Sequence, residues 1–348
     1  MKINSIQFMR GAAALLVVFH HVMQQFYGFE RTNPIGNFFS DYGHFGVDVF
    51  FVISGFIMAY TLHGKKITGA SFIKNRVIRI LPAYYIFSLI FLLFTFNNPN
   101  SGAYYATFES ILLSLFFIPH ENPSPLLGMY PLLSVGWTLN VEMFFYLILT
   151  LFISFKLTLN QILISTCSVL FLLPVLFFVF NFNVYESVAG NWRLLEFLAG
   201  IAIAFVYLNL PVVFYSKLLQ LGILTVMLTL LYLSMPQLLL DITTAATVIY
   251  FALVFNKQLS KSKAFNKFGS YLGNLSYSIY LSHPIILTLF ITYIDFKSYS
   301  VVERGFLLAF VISLILYISH LSFIMIEQRL SILLKNNFFN SEVQQKAL

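Results

Sequence analysis

Residues 6–27 read IQFMRGAAALLVVFHHVMQQFY, an apolar run of bilayer length that carries Arg10 and His21. Eleven residues at about 100° each make about 1100°, which is three turns plus roughly 20°, so both side chains leave the helix on nearly one line. They stand about 16 Å apart along it at about 1.5 Å per residue, while the adjacent His20 points about 100° away. An ionisable residue inside a hydrocarbon span marks a functional site by default, because water cannot solvate it there. The run is longer than the apolar core of a secretory leader and lacks a small-residue cleavage site, so it is expected to remain as a membrane span.

Composition carries the same reading along the chain. Of 348 residues, 59% are hydrophobic and 9% charged, with a mean hydropathy of +0.84. Average soluble domains are about 25% charged, so this is expected to be an all-α, polytopic membrane bundle. Apolar runs of spanning length fall at about 6–27, 46–62, 79–96, 136–155, 159–180, 192–210, 217–234, 238–255, 271–294 and 305–325, about ten in all. A further run, Phe108 to Ile118, is short, and Pro119, Pro123, Pro125 and Pro131 follow it. It reads as a surface or re-entrant element. With that run not crossing, Lys65, Lys66, Lys74, Arg76, Arg79, Lys257, Lys261, Lys263 and Lys267 share one side with both ends of the chain. The other side keeps only Arg31, Arg193, Lys297 and Arg304, which places both termini in the cytoplasm. One transmembrane domain is expected over residues 1–330, followed by a short cytoplasmic tail, 331–348. The net charge of +7 is what basic inner loops and anionic lipid heads require, without nucleic acid as a partner. Cys167 is the single cysteine and reads as packing.

Orientation gives depth. If the first span enters near Ile6, His21 lies about 22 Å up a core about 30 Å thick, and Arg10 stays near the inner face. Glu142, in Gly136-Trp137-Thr138-Leu139-Asn140-Val141-Glu142, lies about 9 Å below the outer surface, and Asp48 is similarly shallow. His21, Asp48 and Glu142 thus fall in one outer layer, where either carboxylate could orient the imidazole for general-base work; hydration or capping of neighbouring segments is the competing role for the acids. Arg193 and Glu196, three apart, read either as an ion pair within one helix or as an acceptor-binding pair. His283, near mid-membrane, reads either as a packing hydrogen bonder or as part of a polar pocket. Arg76 and Arg79, also three apart at a helix start on the cytoplasmic edge, read either as ordinary topology arginines or, with Arg10, as a phosphate site. A long ligand with a phosphorylated end in the cytoplasm and a reactive end reaching up toward His21 would fit, and coenzyme A has that shape. The histidines lack ligand spacing on one short element, so no metal is expected.

These residues also carry a family resemblance. Arg10-X10-His21, the segment Gly46-Val47-Asp48-Val49-Phe50-Phe51-Val52-Ile53-Ser54-Gly55-Phe56, Arg76-X-X-Arg79, the segment Trp137 to Glu142, and Ser276-Tyr277-Ser278-Ile279-Tyr280-Leu281-Ser282-His283 together resemble the membrane acyltransferase-3 family. Five motifs in order cover essentially the whole chain. The start, Ile3-Asn4-Ser5-Ile6-Gln7-Phe8-Met9-Arg10, resembles bacterial exopolysaccharide O-acetyltransferases. The resemblance implies a multi-pass protein of the bacterial cytoplasmic membrane that takes an acyl group, usually acetyl, from cytoplasmic acyl-CoA (acetyl-CoA) and places it on a sugar hydroxyl at the outer side. It implies chemistry at His21 and donor contacts at Arg10, Arg76 and Arg79. Implied partners are acyl-CoA, a lipid-linked or polymeric glycan acceptor, membrane lipids and polysaccharide-synthesis machinery. His21 would act as a general base or form an acyl-histidine. Two departures stand out: Asn140-Val141-Glu142-Met143 lacks the second acidic residue that relatives often carry after the Glu, and no extracytoplasmic hydrolase-like domain is expected after the last span. One domain must then hold donor and acceptor. Two competing classes are a transporter or flippase of lipid-linked glycan, whose polar residues would line a path, and a scaffold protein of a polysaccharide synthase.

Overall fold

The computed structural model describes residues 3–31, 33–96, 105–123, 130–182, 188–209 and 237–336, and among these every regular element is helical. The helices are α1 (Asn4–Tyr27), α2 (Pro34–Tyr42), α3 (Phe45–Leu62), α4 (Gly69–Thr95), α5 (Phe108–Leu115), α6 (Trp137–Ser154), α7 (Leu159–Val179), α8 (Leu194–Asn209), α9 (Gln237–Val254), α10 (Asn256–Leu259), α11 (Lys263–Tyr293) and α12 (Val301–Ser322).

Eight of them are long and apolar enough to cross a membrane: α1, α3, α4, α6, α7, α9, α11, and α12 with its continuation to Asn336. At 16 residues α8 is apolar but shorter, about 24 Å against a core of about 30 Å. The span expected at 217–234 lies outside the described residues. The Phe108 run is a helix of 8 residues, about 12 Å, too short to cross. It is tied to α4, where the Tyr84 hydroxyl donates to the Ser114 carbonyl at 3.1 Å. Beyond Ser322 the last helix makes a π-helical stretch, Phe323–Leu330, and stays helical to Asn336, past the start of the expected tail at 331.

Two helix crossings position everything that follows. Along α1 and α11 the contacts recur at a nearly constant offset: Asn4 bonds Asn266, Phe8 meets Gly269, Gly11 meets Leu272, His21 meets His283, and Phe26 packs on Phe290. The two helices therefore run parallel and in register over their whole length. Glycine permits it, since a Cβ on Gly11 would run into Leu272 and one on Gly273 into the Gln7 carbonyl. The second crossing joins α3 to α8 through Gly55 and Gly200, each facing the other helix's backbone. Around it lies an aromatic core in which the Phe197 ring sits 4.7 Å from Phe51 and 4.4 Å from Phe145. In lipid no hydrophobic drive pulls helices together, so close backbone approach and van der Waals contact do that work.

Candidate active site

A cavity of about 170 Å³ lies among α1, α3, α4, α6 and α11. Its polar lining comes from Gln7 and Arg10 on α1, Ser54 on α3, Arg79 on α4, Thr138, Glu142 and Tyr146 on α6, and Ser276, Tyr277 and Tyr280 on α11. Helical spacing sets these positions: Gln7 and Arg10 are three apart, Glu142 and Tyr146 four apart, and each pair shares one face. Glu142 accepts from the Ser54 hydroxyl at 2.8 Å and from the Tyr146 hydroxyl at 2.5 Å, so its carboxylate is fixed against the wall. Arg10 donates to Gln7 at 3.5 Å. Among the described residues neither Arg10 nor Arg79 is in an ion pair, which leaves two cations facing a cavity that contains one carboxylate. At another edge the Tyr280 hydroxyl meets Thr138 at 2.9 Å and donates to the Val135 carbonyl at 3.2 Å.

Behind Tyr280 lies a pair of imidazoles. The His283 ring is 5.8 Å from Tyr280 on one side and 5.0 Å from His21 on the other. His283 Nε2 is 3.3 Å from His21 Nδ1, and each ring also bonds the carbonyl four residues before it: His21 Nδ1 to Val17 and His283 Nδ1 to Ile279, both at 3.0 Å. His283 is fully buried, whereas His21 keeps partial exposure. His20 turns away to the Phe39 carbonyl at 3.1 Å.

A third cluster sits where α3 meets the start of α8. Arg193 Nη1 is 2.5 Å from Asp48 and 3.1 Å from Glu196, and its guanidinium lies over the Trp137 ring at 5.7 Å. Both carboxyl groups are wholly buried. The expected Arg193–Glu196 ion pair is present, and Asp48 joins it from another helix.

The outer layer expected from depth therefore resolves into three separate sites. His21 pairs with His283 and Val17, Glu142 with Ser54 and Tyr146, Asp48 with Arg193; no hydrogen bond links any two of His21, Glu142 and Asp48. The orientation of the imidazole, expected from Glu142 or Asp48, comes instead from a backbone carbonyl and a second histidine. His283, read either as a packing hydrogen bonder or as part of a polar pocket, has both ring nitrogens hydrogen-bonded and no exposed surface. Arg193 and Glu196 are likewise turned onto Asp48 and onto each other. Arg76 and Arg79 also part company: Arg79 lines the cavity, whereas the Arg76 guanidinium rests on the Phe72 and Tyr146 rings at 5.7 and 5.9 Å. Among the described residues no cluster of three or more His, Cys, Asp or Glu side chains is placed to hold a metal ion.

Sequence reading passed over Ser54, Tyr146 and Tyr280, polar residues that looked like ordinary members of apolar helices. It also passed over Glu327, which the π-helical stretch turns onto α11, where Ser278 donates to it at 2.5 Å. A carboxylate two residues past the end of the apolar run at 305–325 was the available signal there.

Comparison with known proteins agrees with this architecture. Residues 3–326 match the acyltransferase-3 family, described as an acyltransferase domain, and the chain belongs to that family. Among curated proteins, it is similar to the exopolysaccharide production protein ExoZ of Rhizobium meliloti (strain 1021), 40% identical over 121 residues, 34% of this chain and 36% of that one. It is also similar to Protein 2 in the picA locus of Rhizobium radiobacter, 38% identical over 80 residues, 22% of this chain and 36% of that one. The matches thus span about a third of each relative's length. No solved structure matches.

Proposed function

We propose that this protein is a membrane O-acyltransferase that moves an acetyl or similar acyl group from cytoplasmic acyl-CoA to a hydroxyl of an exopolysaccharide or other surface glycan on the outer side. The observation that carries the reading is the arrangement along α1: Arg10 faces a cavity with the unpaired Arg79, and about 16 Å farther along the same helix face His21 presents a paired imidazole. Arg10 and Arg79 supply charge-assisted contacts for the donor's phosphates. A cavity of about 170 Å³ is smaller than the roughly 300–1,000 Å³ of pockets that enclose a drug-sized ligand, so it suits the slender acyl-pantetheine arm with the nucleotide outside. The thioester then reaches His21 past Tyr280. Likeness to an exopolysaccharide production protein favours a glycan acceptor.

In the step we favour, His21 Nε2 takes the acceptor hydroxyl's proton while its oxygen attacks the thioester carbonyl. The C–O bond forms, the C–S bond breaks, and the departing thiolate takes that proton from Nε2. Glu142, held by Ser54 and Tyr146, is a fixed negative charge on the α6 wall of the same cavity.

The test uses full-length protein in nanodiscs with radiolabelled acetyl-CoA and de-acetylated exopolysaccharide of the producing strain. His21→Ala should lower turnover by about 100-fold or more while acetyl-CoA still binds. A wild-type protein that neither binds nor consumes acetyl-CoA overturns the reading and returns the polar residues to a transport path.

A further inference from the structure

We propose that His283 is the positioning residue for His21: a neutral imidazole standing where acyl-transfer enzymes commonly place a carboxylate. This rests on the acyl-transfer role of His21 given above.

The argument begins with two carbonyl groups. A carbonyl oxygen only accepts, so the Val17 oxygen at 3.0 Å requires the proton of His21 to sit on Nδ1. The Ile279 oxygen at 3.0 Å requires the same of His283. With both tautomers set, His283 Nε2 has a bare lone pair, and it faces His21 Nδ1–H at 3.3 Å. Donation then runs one way: the single His21 Nδ1 proton is shared between the Val17 carbonyl at 3.0 Å and His283 Nε2 at 3.3 Å, and His283 Nδ1 donates to Ile279. What remains is the lone pair on His21 Nε2, the only ring nitrogen of the pair without a partner, on the only ring of the two that is partly exposed.

The parallel, in-register packing of α1 on α11 makes this an arrangement of the fold. The two rings sit on equivalent turns, each bonded to the carbonyl four residues earlier, and the offset of 262 residues that joins them also joins Asn4 to Asn266 at the helix starts. Among the described residues no acid is hydrogen-bonded to either ring: Glu142 is held by Ser54 and Tyr146, and Asp48 by Arg193. His20, with its ring 5.6 Å away, is bonded to Phe39.

A neutral partner suits the surroundings. A carboxylate at this depth would bury a charge in the resting protein, whereas two neutral imidazoles bury none. When His21 takes the hydroxyl proton, its Nδ1–H bond to His283 becomes charge-assisted and roughly doubles in strength, so the support arrives as the charge develops. The Nδ1 proton stays on His21, shared between Val17 and His283, while the Nε2 proton passes from hydroxyl to thiolate.

Two variants test the proposal in the full-length protein in nanodiscs. His283→Leu removes the acceptor, whereas His283→Gln can offer its Oε1 near the position of Nε2. The leucine variant should lose about 100-fold or more in kcat with KM for acetyl-CoA unchanged, and the glutamine variant should recover at least about tenfold of that loss. A packing role predicts the reverse order, because leucine refills an apolar site better than glutamine. The bond itself is read without turnover: protein carrying 15N-histidine should show a coupling between His21 Nδ1 and His283 Nε2 that disappears in His283→Gln. The coupling without any acetyl-CoA turnover by wild type refutes the acyltransferase reading and leaves the pair intact. Full kcat in His283→Leu, or no coupling in an active wild type, overturns the role assigned to His283.

Discussion

Arg193 ties the start of α3 to the start of α8, and its removal has a calculable cost. One nitrogen lies 2.5 Å from Asp48 and 3.1 Å from Glu196; the carboxyl side chains are 0% exposed and the arginine 25%. Their other oxygens, Asp48 Oδ2 and Glu196 Oε2, are buried without a hydrogen bond among the described residues, so no other described cation takes over from the guanidinium. Removing one member of a buried ion pair costs roughly 3–5 kcal/mol, since the remaining charge stays where water cannot reach it. Whole-protein stabilities are about 5–15 kcal/mol, so Arg193→Met should remove a large fraction of the total. Arg193→Lys keeps a charge but not a planar fork able to serve two carboxylates, and should fall between. Neutralising the whole cluster with Arg193→Met, Asp48→Asn and Glu196→Gln leaves no buried charge and should recover most of the loss. The assay is thermal unfolding of detergent-purified protein, in the order wild type, triple variant, lysine variant, methionine variant, with several degrees between first and last. An Arg193→Met protein that melts with wild type would refute the reasoning, because it would mean that the carboxyls are solvated or uncharged in the folded state.

Arg76 and Arg79 should separate in the same preparation if Arg79 binds the donor as proposed. Arg79→Lys loses a charge-assisted phosphate contact of about 1.5–3 kcal/mol, roughly tenfold or more in acetyl-CoA affinity, whereas Arg76→Lys loses a stacked guanidinium and should show in melting temperature with affinity nearly unchanged; equal affinities in both variants would remove Arg79 from the donor site. Gly55→Val pushes side-chain atoms into the Phe197 backbone and should destabilise by at least about 1–3 kcal/mol, visible as lost expression of folded protein; a variant that accumulates and melts like wild type would show that the α3–α8 crossing can open.

Much of this architecture was legible in the sequence because the bilayer restricts the answers. Apolar runs of spanning length coincide with nine described helices, and the Phe108 run is short in the structure for the reason it looked short. The shared face of Arg10 and His21 was legible because it follows from helix geometry within one element. Which residue faces His21 was not, because angle and depth leave several helices in play. Depth alone could have suggested His283. It stands 20 residues into α11 and His21 stands 17 into α1, about 30 and 26 Å from helix starts that lie side by side. The acids were expected at His21 because a carboxylate is the usual partner of a catalytic imidazole. Each had a stronger partner closer by, one a guanidinium and the other two hydroxyls, and burial made those local bonds decisive.

The pairing of histidines also accounts for the departure at Met143. A scheme that orients the base with a carboxylate pair needs a second acid next to Glu142, and there the chain has an apolar residue buried in the core of α6. A base supported by His283 needs no acid on α6 at all. Glu142 is then free to be tied down by Ser54 and Tyr146, and a second carboxylate beside it would only add buried charge near the path of an anionic donor. The division of labour follows from chemistry at two depths. In the proposed reaction, charge is concentrated in Arg10 and Arg79, which line the cavity, while the imidazole pair is built from groups that are neutral until a proton moves.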